Sequence, residues 1–133
     1  MSGVTDRVRL LRDMDPVLTE GIWVFARLPP GAGVPDGLEP LGRFREDEGE
    51  TLILGRDTAA HHGLAHEFPC RRITLQIHSD LAAVGLLAAA AGWLAEAGIP
   101  ANTVSAFYHD HLFVPVAEAE RALAVLRAHS AST

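Results

Sequence analysis

The sequence has a single cysteine, no excess of basic residues and no long uninterrupted apolar segment. One cysteine, Cys70, excludes an intrachain disulfide, which is typical of proteins from a reducing cytoplasm. The formal net charge of −6 argues against binding to nucleic acid or to an anionic membrane, because both need a basic surface. The longest apolar run, residues 81–95, is interrupted by Gly85 and Gly92 and is too short to span a bilayer. The first eleven residues lack the apolar core of a secretory signal, so we expect a cytoplasmic protein.

The short motifs that commonly mark an active site are also missing. The sequence contains no glycine-rich phosphate loop and no nucleophile-elbow pattern. No pair of acidic residues falls on a scaffold that predicts acid–base catalysis. We therefore expect a protein that is not an enzyme and that holds no cofactor.

The clearest periodicity lies between Arg72 and Val116, which we interpret as a strand, a helix and a β-hairpin. Residues 72–78 alternate apolar and polar side chains, as in a half-buried strand. Ser79 or Asp80 is expected to cap the N-terminus of the following helix, and Gly98 to end it. The other predicted elements are a strand at 102–108, a tight turn at His109-Asp110, a return strand at 111–116, a helix at 117–129 and a frayed end at 130–133.

The first half of the chain carries a shorter version of this order of elements. It begins with a helix at 4–14, whose apolar stripe contains Val4, Val8 and Leu11 and whose N-cap is Thr5. The other predicted elements are a strand at 20–28, a loop at 29–40, strands at 41–46 and 51–54, and a short helix at 57–62. The loop stands where the second half has its long helix.

The long helix of the second half has more apolar surface than one contact needs. Two nearly opposite stripes run along it, one with Val84, Leu87, Ala91 and Leu94 and the other with Leu86, Ala90, Trp93 and Ala97. An ordinary surface helix has one such stripe. We therefore expect cover on more than one side, from the N-terminal half or from a partner chain.

The order strand–helix–strand–strand–helix is that of a ferredoxin-like unit. The sequence predicts an α+β protein of two such pseudo-repeats packed side by side, with a reduced N-terminal half at 1–67 and a complete C-terminal domain at 68–133. Three segments carry a family resemblance: MDPVLTEGIWVF at 14–25, HSDLAAVGLLAAAAGWLAEAGIPANTVSAF at 78–107 and YHDHLFVP at 108–115. In this order and spacing they resemble ACT domains, and the whole chain resembles small bacterial proteins with two ACT domains in tandem.

This resemblance implies a non-enzymatic regulatory protein that binds an amino acid or a similar small metabolite. ACT domains typically hold such ligands on the turn after the first strand and against a neighbouring strand. A ligand site at this turn is also electrostatically reasonable, because a helix N-terminus offers unpaired amides and a partial positive charge to a carboxylate. The ligand-binding residues expected on this basis are Ser79, Asp80, Leu81, Val84, Gly85, Leu86, Asn102, Thr103, Asp110 and His111. Asp80 would compete with an anionic ligand for the same amides unless it points away from them or binds an amino group.

The polar residues of this set also have structural interpretations. Asp110, which would pair with an ammonium or guanidinium group, is equally consistent with a turn residue that bonds its own backbone. Ser79 and Asp80 fit plain helix capping, and Asn102 fits the beginning of a strand.

Two other hypotheses belong to different classes. His109 and His111 share one face of a strand, which raises the hypothesis of a small metal-dependent protein or enzyme. A third metal ligand would come from His61, His62, His66 or His78. We expect no metal, because two ligands without a clear third favour a polar turn. The remaining hypothesis is a ligand-free interaction module. We also expect a homodimer, because the long helix and the exposed sheet edges need cover.

Overall fold

The computed structural model describes residues 6–133, which pack into two units. The first unit contains the described residues up to Glu20 together with Arg71–Thr133, and the second contains Gly21–Cys70. The first unit is built from α1 (Arg7–Arg12), β1 (Pro16–Leu18), the end of β5 (His66–Leu75), α3 (Leu86–Glu96), β6 (Asn102–Ser105), β7 (Asp110–Pro115), a 3₁₀ turn (Val116–Glu118) and α4 (Ala119–Ala131). The second is built from β2 (Trp23–Leu28), β3 (Gly42–Glu46), β4 (Gly49–Gly55), α2 (Arg56–His61) and the start of β5. The predicted α+β, ferredoxin-like fold with two repeats is confirmed.

The sheet of the first unit has the strand order β1-β5-β7-β6. β1 pairs antiparallel with the end of β5, with Pro16 opposite Leu75. β6 pairs antiparallel with β7, with Ser105 opposite Asp110. The sequence did not predict β1, and its pairing places residues near the N-terminus in the same unit as the second half. The boundary between the two repeats, placed between residues 67 and 68 on the basis of the sequence, stays a prediction.

The core of the first unit forms around one stripe of α3. Leu86, Ala90 and Leu94 are buried at the four-residue spacing of a single helix face. α1, α4 and β6 all contact this helix, so the expected cover from near the N-terminus is present. The prediction that Val84 belongs to an apolar stripe was wrong, because Val84 precedes the helix and is exposed.

α1 is shorter than the predicted helix at 4–14. Leu10 and Leu11 are buried, whereas Val8, expected on the apolar stripe, is exposed. The carboxylate of Asp6 accepts a hydrogen bond from the Arg9 amide at 3.2 Å and caps the helix. Val4 and Thr5, the expected stripe residue and N-cap, lie outside the described residues.

α3 begins at Leu86, several residues after the predicted start. The Asp80 carboxylate accepts a hydrogen bond from the Ala82 amide at 2.8 Å, and the Ala83 amide donates to the Asp80 carbonyl at 2.9 Å. These local bonds form a turn instead of a first helical turn. Gly85 then has φ +99°, a left-handed conformation that interrupts any helix begun earlier. At the other end Gly98, with φ +75°, follows α3 as predicted.

The hairpin turn also lies earlier than predicted. The amide of Ala106 donates to the carbonyl of His109 at 3.0 Å, so the chain reverses between these residues. Asp110 is therefore the first residue of β7 and not a turn residue, and it is only 8% exposed. The predicted fraying at 130–133 was wrong for the first of these residues, because Ser130 is buried within α4.

The second unit has the strand order β3-β4-β2-β5. In this sheet Phe25 lies opposite Ile53 of β4 and Glu67 of β5. One face is covered by α2 and by the loop at 29–40, which has no regular structure, as predicted. The buried apolar residues of this unit include Val24, Ala26, Leu28, Leu38, Leu52, Leu54 and Ala59.

No helix among residues 6–133 combines the length and apolar character that crossing a membrane requires.

Candidate functional site

A cavity of about 110 Å³ lies at the N-terminus of α3, within the first unit. Its walls come from the segment between β5 and α3, from the first turn of α3 and from the adjoining ends of β6 and β7. The lining residues are Ser79, Asp80, Leu81, Ala83, Gly85, Leu86, Leu87, Ala88, Ser105, Ala106 and Asp110.

The first turn of α3, which lines this cavity, has amides without an intrahelical acceptor. The Ala89 amide donates to the Gly85 carbonyl at 3.0 Å, so the amides of Leu86, Leu87 and Ala88 precede the first intrahelical bond. Among the described residues no side chain caps this helix. Uncapped amides and the helix dipole make this end of α3 attractive to an anion.

Asp80 does not occupy those amides. Its carboxylate is bonded to the Ala82 amide in the preceding turn. From the sequence, Asp80 was expected to compete with an anionic ligand for the amides at the start of α3. In this geometry there is no such competition. Gly85, in its left-handed conformation, lies between the turn that contains Asp80 and the first turn of α3. This change of backbone direction keeps the Asp80 carboxylate in the earlier turn.

Asp110 brings a negative charge to the same cavity. The Ser79 hydroxyl donates to Asp110 Oδ2 across 3.4 Å, and both side chains are buried. β7 fixes the position of Asp110, since it is paired with Ser105 at the end of the hairpin. The cavity thus combines backbone donors with a buried carboxylate.

Four of the expected ligand-binding residues do not line the cavity. Val84 is 78% exposed. Asn102 and Thr103 lie at the other end of β6, opposite Phe113 and Leu112, and the strand rise places Asn102 roughly 10 Å from Ser105.

The fourth residue, His111, is directed to a different environment. Its Nδ1 lies 2.9 Å from the hydroxyl of Thr74, on the neighbouring strand β5. Burial lowers the pKa of His111 below its usual 6.5, and the positive charges of Arg72 and His109 lower it further, while Asp110 opposes this. His111 is therefore held toward its neutral form.

Sequence reasoning missed Ser105 and Ala106 at the hairpin. Both follow from the position of the turn: with the reversal at 106–109, Ser105 lies opposite Asp110. Phe107 and Tyr108 have high strand propensity, which made the preceding strand look longer than it is. The cavity residues of α3 that were not predicted, Leu87 and Ala88, follow from its later start.

The histidines that supported the metal hypothesis do not form a group of three potential ligands in the described part of the chain. Within residues 6–133 no three histidine, cysteine, aspartate or glutamate side chains come close enough to hold a metal ion together. His111 contacts Thr74, and the ring of His78 lies 5.6 Å from that of Tyr108.

Comparison with protein-family models gives two matches in tandem. One ACT-domain model matches residues 2–71 and a second ACT-domain model matches residues 67–128. No curated protein matches the sequence.

Solved structures support the same assignment. A Vibrio cholerae protein of unknown function, described as a possible transport protein, is 41% identical over 97% of this chain and 99% of its own, with a TM-score of 0.84. A protein from Agrobacterium tumefaciens is 21% identical over 86% of this chain and 87% of its own, with a TM-score of 0.70. The regulatory subunit of aspartate kinase from Thermus flavus is 10% identical over 86% of this chain and 95% of its own, with a TM-score of 0.60. The last two show a shared fold alone. From the paired family models and the Vibrio relative together, the chain belongs to the ACT-domain family, with two such domains in tandem.

Proposed function

We propose that this protein is a regulatory sensor that binds a free amino acid in the cavity at the N-terminus of α3. One observation carries the proposal: the residues of the first turn of α3, whose amides no side chain caps, line the same cavity as the buried Asp110. A free amino acid carries the two complementary charges, a carboxylate and an ammonium group, on adjacent carbon atoms.

The amides of Leu86, Leu87 and Ala88 would bind the ligand's carboxylate. Backbone amides at a helix N-terminus point along the helix axis and add the partial charge of the dipole to their hydrogen bonds. Because Asp80 is bonded to Ala82, no negative side chain has to leave these amides first.

Asp110 would bind the ligand's ammonium group. Charge-assisted hydrogen bonds of this kind are the stronger class in proteins, and burial of Asp110 reduces their screening by solvent. The Ser79 hydroxyl, bonded to Oδ2, orients the carboxylate.

The size of the cavity favours a small ligand. The cavity has a volume of about 110 Å³. Typical pockets for drug-sized molecules measure roughly 300–1,000 Å³. A small amino acid therefore fits this site better than an extended metabolite does.

Regulation would follow from a difference in ligand affinity between two states of the protein. The ligand would fix the turn at 79–85 against the hairpin end at 105–110. We propose that the protein forms a homodimer and that β6 contributes to the interface. β6 is the last strand in the order of the first unit and all its residues are exposed. Phe107 and Tyr108, which follow it, are each 59% exposed.

A thermal-shift screen against the proteinogenic amino acids at millimolar concentration tests the binding proposal. Ligands that bind only the folded state raise its melting temperature. We expect at least one small amino acid to do so, and Asp110→Asn to abolish the shift. Asp47→Asn, in an exposed turn between β3 and β4, changes net charge by the same amount and is expected to keep it. A wild-type protein that no amino acid stabilises would contradict amino-acid sensing.

A further inference from the structure

Arg7, the first residue of α1, lies across Gly85 at the beginning of α3. A Cβ atom built on Gly85 would lie 2.7 Å from Arg7 Nε and 3.1 Å from its Cδ. Gly85 also lines the cavity. The Arg7 side chain therefore passes over a position without a side chain at the edge of the candidate site.

The charge of Arg7 is not compensated within the described chain. Arg9 and Arg12, on the same helix, both lie near Asp13, at 3.8 and 3.4 Å. Among residues 6–133 Arg7 has no carboxylate within ion-pair distance. This separates Arg7 from the other two arginines of α1.

The exposed side chain of Arg7 lies close to the N-terminus of α3, where an anion would be stabilised. A cation beside a helix N-terminus faces the positive end of the helix dipole. The carboxylate of Asp6 compensates the N-terminus of α1 by accepting the Arg9 amide. No side chain of the described residues does this for α3. An anionic group bound at the start of α3 would compensate both the helix and Arg7.

We infer that Arg7 is a specificity-determining residue of the cavity, which selects ligands that carry a carboxylate. The inference rests on the proposed function and assigns the ligand's orientation. Asp110, buried in the cavity, receives the ammonium group, while Arg7 and the first turn of α3 receive the carboxylate. Gly85 has two roles in this site. Its positive φ ends the preceding turn, and its lack of a side chain leaves room for Arg7.

A double-mutant cycle between protein and ligand tests the inference. The probes are the proteinogenic amino acids that stabilise the wild type and their carboxamides, which keep the shape and the ammonium group but lose the negative charge. Affinities are measured by calorimetry for the wild type, Arg7→Met, Arg7→Lys and the control Arg12→Met. We expect the wild type and Arg12→Met to prefer the amino acid over its carboxamide by at least about tenfold, as a charge-assisted bond provides.

Arg7→Met is expected to lose most of this preference while it binds the carboxamide as the wild type does. Arg7→Lys keeps the charge without the planar guanidinium and is expected to be intermediate. If Arg7→Met keeps the full preference, or weakens acid and carboxamide equally, the inference is overturned while amino-acid binding stands. If no amino acid binds the wild type, the proposed function and this inference both fail.

Discussion

The hydroxyl of Ser130, in the last turn of α4, donates to the carbonyl oxygen of Leu11 across 2.8 Å, at the end of α1. The carbonyl of Arg12 lies 2.9 Å from the same hydroxyl. These carbonyls belong to the last turn of α1, where no following amide of the helix reaches them. One side chain near the end of the chain thus completes a helix near its beginning.

Replacement of Ser130 by alanine is expected to lower the free energy of unfolding by about 1–2 kcal/mol, because it removes the hydroxyl donor from the Leu11 and Arg12 carbonyls. Urea unfolding measures this value. Ser132→Ala removes an exposed hydroxyl that donates to the carbonyl of His129, three residues earlier, and should change stability by less than about 0.5 kcal/mol. Equal effects of the two substitutions would argue against the link between α1 and α4.

Stability is expected to depend on pH through His111. Its pKa in the folded protein lies below the usual 6.5, chiefly because of burial. Between these two pKa values the unfolded chain therefore binds more protons than the folded protein does. The contribution of His111 to the free energy of unfolding is complete above pH 6.5 and is lost as the pH falls through the folded-state pKa. His111→Gln should flatten the dependence in that window, as followed by urea unfolding at several pH values. His61→Gln, at an exposed position of α2, is the control substitution, and a wild-type stability that rises on acidification would be inconsistent with a neutral His111.

Cys70 is expected to resist thiol reagents in the native protein. Its side chain is fully buried, its Sγ lies 3.3 Å from the carbonyl of Trp23, and burial raises its pKa to about 12. Because the thiolate is the reactive form, labelling with a disulfide reagent at neutral pH should be slow and should become rapid in denaturant. Rapid stoichiometric labelling of the folded protein would contradict this environment. The adjacent Arg71 and Arg72 do not overcome the desolvation of the thiol.

Two glycines should respond to alanine in opposite directions. Gly49 has φ +144°, and a Cβ atom there would collide with the carbonyl oxygen of Leu28. Gly49→Ala should therefore reduce the free energy of unfolding by about 1–3 kcal/mol or more. Gly92 lies inside α3 with no atom within 4 Å of a built Cβ, so Gly92→Ala should stabilise the protein by roughly 0.5–1 kcal/mol through helix propensity. Thermal and urea unfolding distinguish the two outcomes, and a stable Gly49→Ala variant would refute the close approach.

The proposed dimer should depend on the edge of the first unit's sheet. Val104→Lys places a charge on β6, where Val104 is 38% exposed, and charged edge strands resist pairing. Light scattering after size exclusion should then show a smaller mass than for the wild type. Phe44→Lys, on β3 at the edge of the second unit's sheet and 71% exposed, should keep the wild-type mass. A wild-type chain that is monomeric at high concentration would exclude the dimer.

Elements that depend on local signals were predicted well from the sequence. The strand predicted at 20–28 contains β2, and it follows from the strand propensity of its residues. The end of α3 at Gly98 follows from the backbone freedom of glycine. The loop at 29–40 follows from its prolines and glycines.

The start of α3 could not be predicted because two signals compete in the same segment. Asp80 looks like a helix cap, yet its carboxylate forms a turn with Ala82, and Gly85 provides the actual boundary. Both patterns fit the residue types, and only the packing of Leu86 in the core decides between them. The predicted site contained Asp110 but not its strand partner Ser105, because the turn was placed too late along the chain.

β1 could not be predicted because β5, the strand with which it pairs, is distant in sequence. Pro16, Val17 and Leu18 are too few to show a period, and their pairing with residues 73–75 leaves no local trace. A strand this short forms because a neighbouring strand of the sheet pairs with it.

The pairing of β1 with β5 also determines when the first unit can fold during synthesis. The ribosome releases β1 long before β5, which provides its place in the sheet, and before α4, whose Ser130 completes α1. Contacts between such distant segments form late because a long loop must close first. The first unit therefore reaches its native state only after β5 and α4 have emerged, although β1 is synthesised before both.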